Sequence, residues 1–469
     1  MGTLRELEMT VQEACPEPLD GKVQGRVVAP GDPGYDEARR AWNLTIDQYP
    51  ALIVMAENAD DVAFAVLWAA DAGLKVAVQA TGHGVVTPAD DAVLIVTSAM
   101  QGVCVDPGAH TAWVEAGVKW AEVLAAAQEH GLAPLLGSSP DVGAVGYTLG
   151  GGLGWLARKY GLSADSVRTY ELVTADGRQI RASADEHPDL FWGLRGGGGS
   201  LGVITRMEIA LHPVTMVYAG NLFYPAAMAH EVFARYRDWV PTLPDEMTTS
   251  VVLMNFPPLP MVPEPLRGQS FTMVRGCYAG PLEEGAALID GWRAWRAPAM
   301  DMFGPIPFTA AATISNDPLD PTAGVTRGLW LADLEGDAID TLVGHTLPHG
   351  GPPALTITEV RHIGGAVSRA DASRSAYGNR DAELLLEMIA MVPTPEAAEA
   401  AHAAMAGMEA ALRPHLTGGV YMNFLEGKDS RSRIAQGFTA ESFRWLRALK
   451  REWDPRNLFS HAFAVEPEE

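Results

Sequence analysis

The sequence predicts an α+β fold in two parts, one rich in glycine loops and the other an antiparallel sheet flanked by helices. Three observations carry this expectation. At 469 residues the chain exceeds what a single hydrophobic core usually serves. A strand–helix–strand unit of about thirty residues lies near the N-terminus. From about residue 215 to about residue 430 the pattern shifts to alternating apolar and polar runs.

Composition bounds the function classes. With 48% hydrophobic and 20% charged residues, the chain can bury a core. A formal net charge of −24 argues against nucleic acid and anionic membrane surfaces as partners. Three cysteines, Cys15, Cys104 and Cys277, are too few and too scattered for a disulfide framework or a metal cluster, so no metal is expected. Residues 1–21 hold no apolar run long enough for a signal peptide, and no run reaches the ~18 apolar residues of a spanning helix. The expected setting is reducing and cytoplasmic.

In chain order, residues 36–42 read as helix and 51–54 as a strand. Residues 58–72 form an amphipathic helix: Val62, Val66 and Ala70 recur at helical spacing, Asn58 or Asp60 offers a cap, and Gly73 closes it. Val76–Val78 is the returning strand. Strands follow at 93–96 and 112–114, then a helix at 119–129 stopped by His130-Gly131. Residues 171–174 and 178–182 pair across a turn at Asp176-Gly177. A short helix spans 189–194, and a strand runs from Val203 to Leu211 before Pro213. In the second part, 247–254, 270–274 and 355–361 read as antiparallel strands. Helices fit 282–295 and 395–412, the latter with Thr394 as cap and Pro395 at its first position. Pro257-Pro258 and Pro305–Pro307 read as irregular loops, and an amphipathic helix covers 439–451.

The chemistry gathers at glycines. Strand 76–78 runs into Ala80-Thr81-Gly82-His83-Gly84, which presents an imidazole on a turn that a ligand can approach closely. Gly137 to Gly161, GSSPDVGAVGYTLGGGLGWLARKYG, is almost stripped of side chains. Its interleaved Val142, Val145, Leu149, Leu153, Trp155 and Leu156 mark it as buried backbone rather than linker, with something flat or anionic lying against it. A Rossmann phosphate loop fits poorly, because these glycines lie deep in the chain and Arg158 and Lys159 follow them. A third glycine loop is GGGGSLG at 196–202.

Taken together, these segments resemble the flavin oxidases of the berberine-bridge-enzyme-like branch, in the vanillyl-alcohol-oxidase superfamily with its PCMH-type FAD-binding fold. The resemblance rests on ATGHG at 80–84, GSSPDVG at 137–143, GGGLG at 150–154 with KYGLSAD at 159–165, and LFWGLRGGGGSLGVIT at 190–205. It continues through HIGGAV at 362–367 and LRALKREWDPRNLF at 446–459. It implies an FAD-binding domain from both chain ends, 1–214 and 431–469, enclosing a substrate-binding domain at 215–430. By the same resemblance His83 bonds covalently to the flavin 8α-methyl. Ser139 stands where bicovalent relatives carry a second, cysteine link, so one link is expected. Val142 matches the residue that gates oxygen, valine going with oxidases. The cofactor-binding set implied is Gln79, Ala80, Thr81, Gly82, His83, Gly84, Gly137, Ser138, Ser139, Val142, Gly143, Gly146, Gly152, Gly154, Val203, Tyr421 and Asn423.

The chain departs from the family pattern at Ala80-Thr81, at Ser200-Leu201, and at Ala462 and Ala464, next to His461. On the substrate side, Tyr421 and Asn423 match a catalytic position. Tyr421 is a proton acceptor if its pKa is lowered, or a core tyrosine capping a strand end. Tyr377 reads as filling the sheet. Glu359, Arg361 and His362 sit on an alternating strand with one face toward the flavin, His362 itself being structural; Trp292 and Trp295 read as core. The expected activity is an FAD-dependent oxidase that removes hydride from an alcohol, amine or natural-product intermediate and reduces O₂ to H₂O₂, acting as monomer or homodimer. A dehydrogenase with another acceptor, a carbohydrate oxidase and a redox-neutral cyclase with structural FAD are the alternatives.

Overall fold

The computed structural model describes residues 19, 21–260, 262–348, 350–426, 430–463 and 465–468. Cys15, Ala464 and nearly all of the N-terminal stretch read for a signal lie outside them. The described strands form three sheets. β1 (Arg26–Val28), β2 (Leu52–Met55), β3 (Val76–Gln79) and β4 (Val93–Val96) make the first, in the order β1-β2-β4-β3. β5 (Val103–Asp106), β6 (Thr111–Glu115), β7 (Val167–Val173), β8 (Gln179–Ser183) and β9 (Val203–Ala210) make the second, antiparallel and ordered β5-β6-β9-β7-β8.

The helix Ala59–Asp71 packs between these sheets. Its Asn58 cap accepts from the Asp61 N–H, and Gly73 beyond it takes φ +70°, a conformation that costs glycine little. Val62, Ala65, Val66 and Ala69 are buried against Val54, Val93, Val173 and Val203. The predicted strand–helix–strand unit is present, with one change: β4 sits between β2 and β3 and pairs parallel with both. The helix expected at 36–42 shortens to Tyr35–Ala38. Trp42 and Asn43 instead donate their backbone N–H groups to Thr81 O and Gly82 O, which no helix could do.

The third sheet has nine strands among the described residues. β10 (Met216–Pro225), β11 (Met247–Asn255), β12 (Ser270–Tyr278), β13 (Met300–Asp301), β14 (Gly304–Pro307), β15 (Gly324–Leu331), β16 (Ile357–His362), β17 (Leu384–Met391) and β18 (Leu416–Leu425) build it, in the order β13-β10-β12-β11-β16-β17-β15-β18. Pro305–Pro307, expected as loop, lies on β14, which pairs with β10 at the sheet edge, the place where proline's missing N–H is tolerated. One face of the sheet is buried under the helices Ala229–Trp239, Leu282–Trp295, Gly336–Thr346 and Pro395–Ala411. Thr394 caps the last by accepting from Ala397 N–H. Trp292 is fully buried in this layer and Trp295 packs at its edge. The opposite face carries Asn221, Arg275, Glu359, Arg361, Glu387 and Thr326.

The chain end returns to the first part. Leu458 and Phe459 join the core beneath helix Ala59–Asp71, and Leu458 O accepts from Val76 N–H. Lys450, on the helix Ala440–Trp453, is wholly buried. Its ammonium donates to Asp454 Oδ2 at 2.7 Å, Ser200 O at 2.7 Å and Phe459 O at 3.0 Å, joining the third glycine loop to the C-terminal segment. Among the described residues, no helix is long and apolar enough to cross a membrane.

Because Lys450 is the buried cation facing Asp454, Lys450→Met should cost about 3–5 kcal/mol by stranding that carboxylate. Urea unfolding measures this. A change within ~1 kcal/mol would show that the ion pair contributes nothing net, as some buried pairs do.

Candidate functional site

A cavity of about 1200 Å³ opens between the glycine loops and the polar face of the nine-stranded sheet. Single small ligands usually occupy ~300–1,000 Å³, so this space admits a large cofactor and a substrate together. One wall comes from residues 76–87, 137–149 and 198–204, the other from β10–β12 and β15–β18, and residues 459–463 close one end.

The imidazole of His83 is set into this cavity by a tightly packed turn. Gln79 anchors the strand end, accepting from Gln48 Nε2 at 2.8 Å and donating to Arg40 O at 3.0 Å. Gly82 then takes φ +78°, and a Cβ there would lie 2.7 Å from Ala41 Cα, so the turn admits no other residue without a shift. His83 stacks on the Trp42 indole with centroids 4.1 Å apart and planes 16° apart. Its Nδ1 lies 2.9 Å from Thr81 Oγ1. Its Nε2 is buried and without a hydrogen-bond partner among the described residues; the Asp141 carboxylate stands 4.0 Å away and is paired to Lys119. Desolvation pushes the imidazole pKa down to about 4, against the pull of Asp141, so the ring is neutral at physiological pH. A neutral ring with an unengaged nitrogen is the nucleophilic form of histidine.

Ala80, Thr81, Gly82, Gly84, Gly137, Ser138, Ser139, Val142, Gly143, Gly146 and Val203 all line the cavity with His83 and Gln79. Gly152 and Gly154 do not. Their Cβ directions are filled by protein: Tyr147 and Ser163 at Gly152, and Leu136 O at 1.8 Å from Gly154. The bareness of this stretch is explained by side chains and backbone packed against it, where a flat ligand was expected.

Tyr421 and Asn423 reach the cavity, but their hydrogen-bonding groups serve the wall. Tyr421 Oη accepts from Leu153 N–H at 3.0 Å and from Asn423 Nδ2 at 3.1 Å; Asn423 Nδ2 also donates to Tyr147 O. Burial pushes the Tyr421 pKa up to about 12, outweighing those two donors, so the lowered pKa that a base would need is not found. Of the two readings of Tyr421, these hydrogen bonds and the raised pKa favour the tyrosine that caps the wall over the proton acceptor. Tyr377 is buried over Gly151 and Gly196 and fills the seam beside the cavity. His362 faces Arg158 Nη1 at 3.0 Å, away from the cavity.

The structure bears out a cavity-facing position for Glu359 and Arg361 and adds three groups the sequence did not single out, Glu387, Arg275 and Glu426. Glu359 and Glu387 are directly paired across β16 and β17, an arrangement that like charges make costly. Arg361 Nη2 bridges them, 3.3 Å from Glu359 and 2.5 Å from Glu387, while Arg275 Nη1 stands 3.7 Å from Glu359. Desolvation pushes Glu387 up to about 8, resisted by Arg361 and aided by Glu359. Glu359 is held low because Arg361 and Arg275 outweigh its own desolvation. Nearby, Glu426 takes only a partly buried position, accepts from Thr326 N–H at 3.2 Å, and is pushed up to about 8 by burial. The available signal was a lone glutamate inside LLLEMIAM and a lone arginine inside FTMVRGCY, since charge in an apolar run is rarely idle.

The residues present suit FAD. The loop wall is made mostly of small residues, and three buried polar atoms in it, His83 Nε2, Ser139 Oγ and Tyr147 Oη, find no hydrogen-bond partner among the described residues. Loops 79–87, 137–146 and 198–204 would hold the cofactor, leaving the polar sheet face for a substrate.

Comparison with known proteins agrees. Residues 50–183 match a family described as FAD binding domain. The chain is 27% identical over 95% of its length to an uncharacterised FAD-linked oxidoreductase of Bacillus subtilis, covering 98% of it. The crystal structure of 6-hydroxy-D-nicotine oxidase from Arthrobacter nicotinovorans superposes with a TM-score of 0.83 at 25% identity, covering 96% of this chain and 99% of that one. A berberine-bridge-enzyme-like protein of Physcomitrella patens has the same fold, with a TM-score of 0.81 at 20% identity over 96% of this chain and 97% of its own.

Since Tyr421 acts in the wall, Tyr421→Phe should destabilise by about 1–3 kcal/mol, the cost of stranding the buried Leu153 N–H. The pH midpoint of flavin reduction should stay where it is. A midpoint that moved or vanished in stopped flow would restore Tyr421 as the base.

Proposed function

We propose that this FAD-linked oxidoreductase, which has the fold of the berberine-bridge-enzyme-like flavoproteins, is an oxidase of an alcohol or amine carried on a largely apolar molecule. The observation that supports this best is the single cavity shared by glycine loops on one side and a charged, partly apolar sheet face on the other. Beyond the charged cluster the wall includes an apolar patch of Phe223, Met254, Phe256, Leu266, Met273 and Ile357, with Ser315, Asn316, Asp317 and Asp320 at other points of the lining. The apolar patch accepts an apolar body, and a carbohydrate lying against it would leave hydroxyls unpaired there. The inferred division is an FAD-binding part at 1–214 and 431–469 around a substrate-binding part at 215–430, in line with the residue ranges of the sheets.

Each residue then has a physical task. His83, neutral and partnerless at Nε2, is the candidate for a single covalent link. Glu387, when ionised, takes the proton from the substrate O–H or N–H at a carboxylate oxygen, and Arg361 beside it stabilises the ionised form. Glu359 and Arg275 keep that ion pair charge-balanced. Asn423 and Tyr421 fix the wall between the two sides. Val142 lies in the loop wall as the candidate oxygen gate. Bound FAD supplies the two-electron acceptor, with O₂ as terminal oxidant and H₂O₂ as product.

Two experiments test this. Acid precipitation of the purified protein should leave the yellow colour in the pellet, with one FAD added to the intact mass, and His83→Ala should release it to the supernatant. A colourless native protein would sink the reading; a colourless pellet would remove the tether alone. The second is a pH profile. The folded Glu387 holds its proton well above the usual carboxylate range, so the active base is scarce below its pKa and complete above it. Flavin reduction should therefore speed up as pH rises toward about 8 and level off beyond. Glu387→Gln should be slow and flat across that range; a Gln variant with the wild-type profile would exclude Glu387.

A further inference from the structure

We infer that Trp42 is the positioning residue for the cofactor tether, fixing the plane in which His83 presents Nε2. This rests on the reading of His83 as the tether. A histidine between two glycines, Gly82 and Gly84, has little from its own chain to hold its ring. Two contacts supply the constraint. The Trp42 indole lies nearly parallel to the imidazole, 16° apart at 4.1 Å, which stops rotation about the Cβ–Cγ bond. Thr81 Oγ1, 2.9 Å from Nδ1, accepts from it in the tautomer that leaves the Nε2 lone pair free.

Trp42 is itself held from both sides of the cavity. Its backbone N–H donates to Thr81 O at 3.0 Å, and the neighbouring Asn43 N–H donates to Gly82 O at 3.2 Å. On the other side its indole Nε1 donates to Leu319 O at 3.0 Å, its carbonyl accepts from Thr322 N–H at 3.2 Å, and Asn43 Nδ2 donates to Gly324 O at 3.0 Å. Leu319 and Thr322 belong to the substrate-side wall. The same indole therefore connects the His83 ring to the segment that covers the substrate side.

Attachment is the step that such alignment serves. A C–N bond forms between Nε2 and the flavin 8α-carbon, that carbon loses one C–H bond, and the imidazole gives up the proton on Nδ1. The two electrons and two protons released are taken by O₂, forming H₂O₂. An aligned nitrogen gains in rate without gaining in affinity.

The test separates rate from affinity. Full-length protein purified from riboflavin-limited cells is mixed with FAD. Non-covalent binding is read by quenching of flavin fluorescence, and attachment by acid-stable flavin against time. Trp42→Met keeps most of the volume without the ring; Trp42→Phe keeps a ring without the Leu319 bond. The expected result is attachment slowed roughly tenfold or more in the Met variant and within roughly threefold of wild type in the Phe variant, with affinity nearly unchanged in both. Wild-type attachment with an unslowed Met variant overturns the inference alone. No acid-stable flavin in the wild type overturns the tether reading and this inference with it. If the Met variant fails to bind FAD, the Phe variant decides: near-wild-type attachment supports the ring's role, and a tenfold loss assigns the effect to the Leu319 bond and overturns it.

Discussion

The close approach of neighbouring side chains, and of Leu136 O, to the bare backbone of Gly150–Gly154 sets the geometry around it. A Cβ at Gly150 would lie 1.8 Å from Asn423 Oδ1, and one at Gly154 the same distance from Leu136 O. With no side chain in the way, β18 comes near enough for Asn423 to donate to Tyr147 O and for Leu153 N–H to reach Tyr421 Oη. These bonds seat the polar face of the large sheet opposite the glycine loops, and the cavity is the space left between them. Any larger residue would part the two walls, because interiors are packed too densely to absorb a methyl group at that distance.

On the far wall the governing constraint is electrostatic. Register places Glu359 and Glu387 opposite each other in a buried layer, where two bare carboxylates would repel strongly. Arg361 and Arg275 make the arrangement tolerable, and the pair divides its protonation: Glu359 is held low and Glu387 high. Burial is the main cause of the Glu387 shift, with Glu359 across the strand pair adding to it and Arg361 opposing it. Arg361 also lies over the Phe424 ring, 5.4 Å from its centroid, which fixes the guanidinium on the sheet surface.

Much of the local structure was legible from side-chain periodicity and caps. Asn58 and Thr394 cap their helices as expected, and Leu282–Trp295 has the predicted bounds. β17 was not legible: LLLEMIAM lacks alternation because one of its faces meets the helix layer and the other the cavity, so both are mostly apolar. The early end of the predicted helix, at Ala38, was not legible because its would-be continuation is claimed by backbone bonds to Thr81 and Gly82, some forty residues away.

By itself the sequence determined the classes of element, the three glycine loops and the presentation of His83 on a turn, since each depends on neighbours a few residues apart. Tertiary structure alone decided which glycines face the cavity and which face protein, why Gly152 and Gly154 are packing residues, and that Trp42 lies on His83. It also decided that Glu359 meets Glu387. Strand register and loop closure bring together residues that share no local pattern, and only the folded chain specifies those distances.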